Sequence, residues 1–139
     1  IIMESINIFL SNIDRDNGTV SNFNVSFSQY GLNRDVKYYY LDIYEATTRA
    51  TSTNVNGVLI TTDIVQLNTI DTSQQNIFLI LPCVDNTNHI YTSSMVVKRC
   101  IIQNPLNRSI NFKIIDAETR NEITAPVLHI HMKLTPYKQ

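Results

Sequence analysis

Apolar and polar residues alternate along much of this chain with a period of two, the repeat of a β-strand whose faces meet different surroundings. Residues 127–134 give the clearest example. There the predicted inward residues are Leu128, Ile130, Met132 and Leu134, and the outward ones are His129, His131 and Lys133. The same repeat predicts inward side chains at Ile6, Ile8, Leu10, Phe23, Val25, Phe27, Ile110, Phe112 and Ile114.

Composition agrees with this repeat. Ile, Val, Thr, Tyr and Phe, the residues that suit a pleated sheet, account for 55 of the 139 residues, whereas Ala numbers only 4. Strands are predicted at residues 4–10, 22–27, 38–44, 58–60, 76–81, 95–102, 109–116 and 127–134, with a weaker ninth at 64–67. Polar residues 46–53 and 84–92 are predicted as loops, and Pro82 is predicted to end a strand. Short strands between polar turns predict one all-β domain over residues 1–139, an antiparallel β-sandwich or a barrel.

Charge and hydropathy exclude several classes of function. The formal net charge is −1, with 11 basic and 12 acidic residues, so recognition of nucleic acid or an anionic membrane is not expected. The longest apolar runs are far shorter than a membrane helix requires. Cys83 and Cys100 are a single pair rather than a disulfide framework, which favours a reducing compartment. The chain contains no Gly-x-Ser-x-Gly motif or Cys–His signature, so we predict that it is not an enzyme.

The two histidines of residues 127–134 raise the question of a metal site. His129 and His131 share a strand face, which is a workable chelate geometry, and His89 is the only other histidine. A metal site would need a third ligand, whereas two outward strand positions that happen to hold histidine explain the pattern without one. We predict no bound metal and no cofactor.

Three consecutive tyrosines suggest a binding surface. In a strand, Tyr38 and Tyr40 share one face and Tyr39 takes the other. Aromatic rings suit a sugar or a partner protein, although packing between strands accounts for them as well. The candidate interaction residues are therefore Tyr38, Tyr40, His129 and His131.

The order of these segments resembles a viral single jelly roll. The resemblance is carried by residues 6–11 with 14–16, 23–27, 39–46, 100–116 and 129–134. The pattern is similar to the penton (minor capsid) proteins of virophages, polinton-like viruses and related large DNA viruses.

The resemblance implies a sandwich of two four-stranded sheets, an eight-stranded jelly roll. Five copies would form the fivefold vertex of an icosahedral capsid together with the major capsid protein, in the virion, without any catalytic residue. Such a protein should expose an apolar or strand-edge surface for its neighbours. The alternative is a carbohydrate- or receptor-binding β-sandwich module of a viral spike or adhesin.

Overall fold

The computed structural model describes residues 5–49, 57–64, 66, 76–85, 90–92 and 98–137. The described part is dominated by antiparallel strands, as the period-two repeat predicted. They are β1 (Ile6–Ser11), β2 (Asn17–Gly18), β3 (Asn22–Ser26), β4 (Tyr38–Arg49), β5 (Gly57–Thr62), β6 (Asn76–Asp85), β7 (Ile90–Thr92), β8 (Lys98–Gln103), β9 (Ser109–Asp116) and β10 (Val127–Tyr137). Two 3-10 turns, Asn12–Asp14 and Phe27–Tyr30, are the helical elements of these residues, and none of their helices is long and apolar enough to cross a membrane.

The strands form one curled antiparallel sheet, which is consistent with a β-sandwich. Its order is β1-β10-β4-β7-β6-β5-β9-β3-β2, and β8 pairs with β4 beside this path. One half contains β1, β10, β4 and β8, and the other contains β3, β9, β5 and β6. The strands β6 and β7 connect the two halves through their own pairing.

A single hydrophobic core takes side chains from both halves of the sheet. Of the predicted inward residues, Ile6 is half-buried and the others are buried. Phe112 on β9 stacks with Phe23 on β3 at 5.6 Å between ring centroids, and meets the edge of Phe78 on β6 at 5.9 Å. These rings fill the inner side of the second half of the sheet, so the alternation predicted the core correctly.

The predicted loop at residues 46–53 is wrong over its first four residues, and positions 50–53 lie outside the described residues. Residues Ala46 and Arg49 pair with Ile130 and Val127, so β4 extends along nearly the whole of β10. Ala46 and Thr48 are both fully buried. The polar threonines made this strand look like a loop in the sequence. Thr48 can be buried in the strand because its hydroxyl donates to the Val127 carbonyl at 3.0 Å.

The prediction that Pro82 ends its strand is also wrong. β6 continues to Asp85, and Pro82 pairs with Gly57 at the end of β5. Beyond it, β6 takes β7 as its partner, with Cys83 opposite Tyr91. Proline has no backbone N–H to donate to a neighbouring strand. Because Pro82 stands where β6 changes its partner from β5 to β7, few hydrogen bonds between strands are lost. The predicted loop at 84–92 is wrong at both ends, because residues 84–85 belong to β6 and residues 90–92 form β7. Positions 86–89 lie outside the described residues.

Two connections run between the halves of the sheet rather than forming hairpins. The strands β1 and β3 pair with β10 and β9 respectively, so the chain crosses between them. The strands β9 and β10 likewise belong to different halves, although the chain after β9 first turns back on it, so that Glu122 bridges Ile115. The weak strand predicted at 64–67 is reduced, in the described residues, to a bridge between Gln66 and Ile102.

Candidate functional site

All four predicted interaction residues lie on the same side of the first half of the sheet. We call this side the outer face. It is the side of β1, β10, β4 and β8 that is directed away from the core. Tyr38 and Tyr40 are half-buried there, whereas Tyr39 is 1% exposed and lies in the core. His129 is exposed and His131 is half-buried on β10. The assignment of the tyrosines to opposite faces is therefore confirmed.

A third tyrosine joins the first two at one end of the outer face. Tyr137 on β10 pairs directly with Tyr38 and meets the rings of Tyr38 and Tyr40 edge-on, at 6.4 and 5.0 Å between centroids. The Arg99 guanidinium on β8 covers the Tyr40 ring at 4.5 Å. Sequence spacing could not reveal this cluster, because its members come from three strands far apart in the chain.

Arg99 also binds the buried acid of the outer face. Asp42 is only 3% exposed, and its carboxylate accepts hydrogen bonds from Nε and Nη2 of Arg99 at 2.6 and 2.9 Å. These bonds lower the pKa of Asp42 below its ordinary value, against the opposing effect of burial, and the charges of Arg99 and Lys133 add to the lowering. Lys133 lies 5.7 Å from the Tyr44 ring, and its bond to that tyrosine raises the lysine pKa.

This pair predicts a specific dependence of stability on pH. Because the folded-state pKa of Asp42 is lowered, its contribution is complete above the unfolded value of about 3.9 and disappears as pH falls through the lower folded value. Arg99→Met keeps an apolar stem over Tyr40 but removes the guanidinium. We expect this variant to lose more stability at neutral pH than at acid pH.

The measurement is urea unfolding of both proteins from neutral pH to below pH 3. The exposed Arg34 supplies the matched control, since Arg34→Met removes the same charge without touching Asp42. A constant difference between wild type and Arg99→Met across the series would contradict the assignment.

At the other end of the outer face, three rings stack across three strands. The His131 imidazole stacks on Phe9 of β1, with 4.4 Å between centroids and 13° between the ring planes. On its other side it meets the ring of Tyr44 of β4 at 5.2 Å, tilted by 33°. A β-bulge places Tyr44 here. The pairing of β4 with β10 shifts between His131 and Met132, so Tyr44 and Glu45 both point outward between the buried Ile43 and Ala46. Bulges of this kind redirect side chains beside binding sites.

A groove of about 560 Å³ opens beside the stacked rings. The first 3-10 turn forms one wall with Ile13 and Asp14, and the strands supply Phe9, Glu45, His129 and His131. Phe9 is 72% exposed and Ile13 is 62% exposed, so the groove presents apolar surface to solvent. We call this site the outer groove.

The outer groove contains both predicted histidines but also residues that sequence reasoning missed. One signal was present, because Phe9 lies on the strand face that also carries the polar Ser5 and Asn7. The bulge that adds Glu45 has no comparable signal in the sequence. The two carboxylates and the apolar side chains of the outer groove suit a ligand with both a cationic and an apolar part.

No group of three or more His, Cys, Asp or Glu side chains in the described part of the chain is arranged to hold a metal ion, and His89 lies outside the described residues. Cys83 and Cys100 are not joined by a disulfide, and both are half-buried. Comparisons with protein-family models, curated proteins and solved structures found no match. The site is therefore interpreted from its own geometry, as a contact surface.

Proposed function

We propose that this protein is a structural capsid protein with a single jelly-roll fold, acting as the penton at a fivefold vertex. The observation that carries the proposal is strand order. The two halves of the sheet run β1-β10-β4-β8 and β3-β9-β5-β6, so successive long strands alternate between them up to β5 and again from β8. This alternation is the one expected of an eight-stranded jelly roll, an architecture found in viral capsid domains, and it supports the proposal.

The surface of the molecule supports an assembling role. Large apolar side chains remain exposed at Phe9, Ile13 and Ile80. The strand β1, at the end of the sheet order, also has no second partner strand among the described residues. Tyrosine, phenylalanine and arginine, which the outer face displays together, are enriched at protein interfaces. Such a surface is what the resemblance to capsid proteins implies.

Solution mass and co-assembly test this proposal. Sedimentation over a wide concentration range should reveal a closed species of five times the 15.9 kDa protomer mass, alone or with a major capsid protein. Co-expression should place the protein in shells at the vertex stoichiometry. A chain that stays monomeric at high concentration and never enters a shell would refute the penton role.

The second candidate function is binding of a carbohydrate or receptor by a spike or adhesin module. The cluster of Tyr38, Tyr40 and Tyr137 favours it, because jelly rolls also serve as lectin domains and tyrosine rings pack against sugars. A glycan array would test it. Binding that disappears in Tyr40→Ala but survives in Tyr30→Ala, a half-buried tyrosine outside the cluster, would favour this function over the penton.

A further inference from the structure

The charged side chains that line the outer groove are all negative. They are the carboxylates of Asp14 and Glu45, and no lysine or arginine of the described residues lines the groove. The ion pair found among those residues joins Arg99 to Asp42, away from the groove. Two carboxylates that have no cationic partner among the described residues therefore face a groove open to solvent. Such a site attracts a ligand with positive charge.

The same groove offers apolar contact next to those carboxylates. Ile13 lines the groove beside Asp14, and Phe9 lines it from β1, where its ring stacks on His131. A ring held by such a stack loses little freedom when it is covered, which reduces the cost of binding. The groove volume is within the range of sites that bind small ligands.

We propose that the outer groove receives a segment of another protein in which a lysine or arginine stands beside an apolar side chain. The cation would lie between Asp14 and Glu45, and the apolar group would pack on Phe9 and Ile13. The inference goes beyond the proposed function, because it follows from the groove alone and holds whether or not the chain forms pentamers.

The partner segment belongs to a different protein rather than to a second copy of this chain. In the described residues, Lys37 before β4 lies between apolar neighbours, but its ammonium already lies over the Tyr38 ring at 5.6 Å. The other lysines between apolar neighbours are Lys113 on β9 and Lys133 on β10. Both strands are already paired on their two edges, β9 with β3 and β5, and β10 with β1 and β4. To supply such a segment, a second copy would have to give up either the Lys37–Tyr38 contact or part of its own sheet.

Three blocked synthetic pentapeptides test the two parts of the ligand separately. They are Ser-Leu-Lys-Leu-Ser, its glutamate counterpart Ser-Leu-Glu-Leu-Ser, and Ser-Ser-Lys-Ser-Ser, which lacks the apolar groups. Binding is followed by amide chemical shifts of the full chain at neutral pH. The first peptide should shift residues of the outer groove, and each of the others should bind about tenfold more weakly.

Matched variants locate the binding. Glu45→Lys leaves one carboxylate and one ammonium in the groove, so it should weaken the lysine peptide about tenfold and abolish the preference between the charged peptides. Asp35→Lys, the same charge reversal at an exposed turn, should do neither. Ile13→Ser should weaken binding about tenfold, whereas Ile80→Ser, at a site equally exposed, should leave it unchanged. Circular dichroism checks that each variant is folded.

Several results would overturn the inference. They are equal binding of the two charged peptides, no binding by any peptide, and shifts outside the outer groove. Self-association that Glu45→Lys abolishes, without peptide binding, would instead identify a second copy as the occupant. A protein that binds the lysine peptide in the outer groove but stays monomeric and never enters a shell would support this inference while refuting the penton role, so the two failures are distinguishable.

Discussion

Replacing Phe112 by alanine should destabilise the protein by about 3–5 kcal/mol, the usual cost of removing a buried aromatic ring. Phe112 is fully buried on β9 and contacts the rings of Phe23 and Phe78 from two other strands. Its loss removes apolar burial and opens a cavity that stiff neighbouring strands fill poorly. Domains of this size have total stabilities of about 5–15 kcal/mol, so the variant should be close to unfolding.

Urea unfolding monitored by circular dichroism measures this effect. Phe9→Ala is the matched control, since it removes the same ring from a position that is 72% exposed. Its cost should stay within about 1 kcal/mol, the range of a cross-strand ring contact. If the two variants were equally destabilised, the burial assigned to Phe112 would be wrong.

The sequence predicts the core well because side-chain alternation is a local property. Phe23, Val25 and Phe27 lie two residues apart, so an extended segment directs them to the same side whichever strand it pairs with. Their burial depends only on there being one buried face. The strand neighbours, in contrast, depend on contacts between distant parts of the chain, and the alternation of one strand contains nothing about its partner.

The incorrect boundaries have the same origin. Thr48 is polar, yet it is buried because β10 lies beside it and the Val127 carbonyl accepts its hydroxyl. Tyr91 is fully buried on the three-residue β7, too short for any periodicity. In each case tertiary contacts override a local preference for a loop.

The candidate site was predictable only in part. The spacing placed Tyr38 with Tyr40, and His129 with His131, on common strand faces, and the structure places both pairs on the outer face. It could not place Arg99, which reaches Asp42 from 57 residues away. The bulge at Tyr44 was equally hidden, because it depends on the pairing register of β4 with β10.

Long-range polar contacts of this kind also hold the turns beside the outer groove. The turn that carries Ile13 and Asp14 begins at Asn12, whose side chain is fully buried. Its Nδ2 donates to the carbonyl oxygens of Val20 and Pro126, both at 2.8 Å, and its Oδ1 accepts from the Leu128 amide at 3.1 Å. One side chain therefore joins three segments that are separate in the sequence.

Asn12→Ala should accordingly destabilise the fold by about 3–4 kcal/mol, because it leaves two carbonyls and one amide without their partner. Asn12→Asp should cost at least as much at neutral pH, since a buried carboxylate would face those carbonyls, and less at acid pH, where its neutral form donates one bond. Urea unfolding at both pH values measures this, with Asn121→Ala, at an exposed position, as the control. The control should change stability by no more than about 0.5 kcal/mol. An Asn12→Ala effect as small as that would show that the three bonds do not hold these segments together.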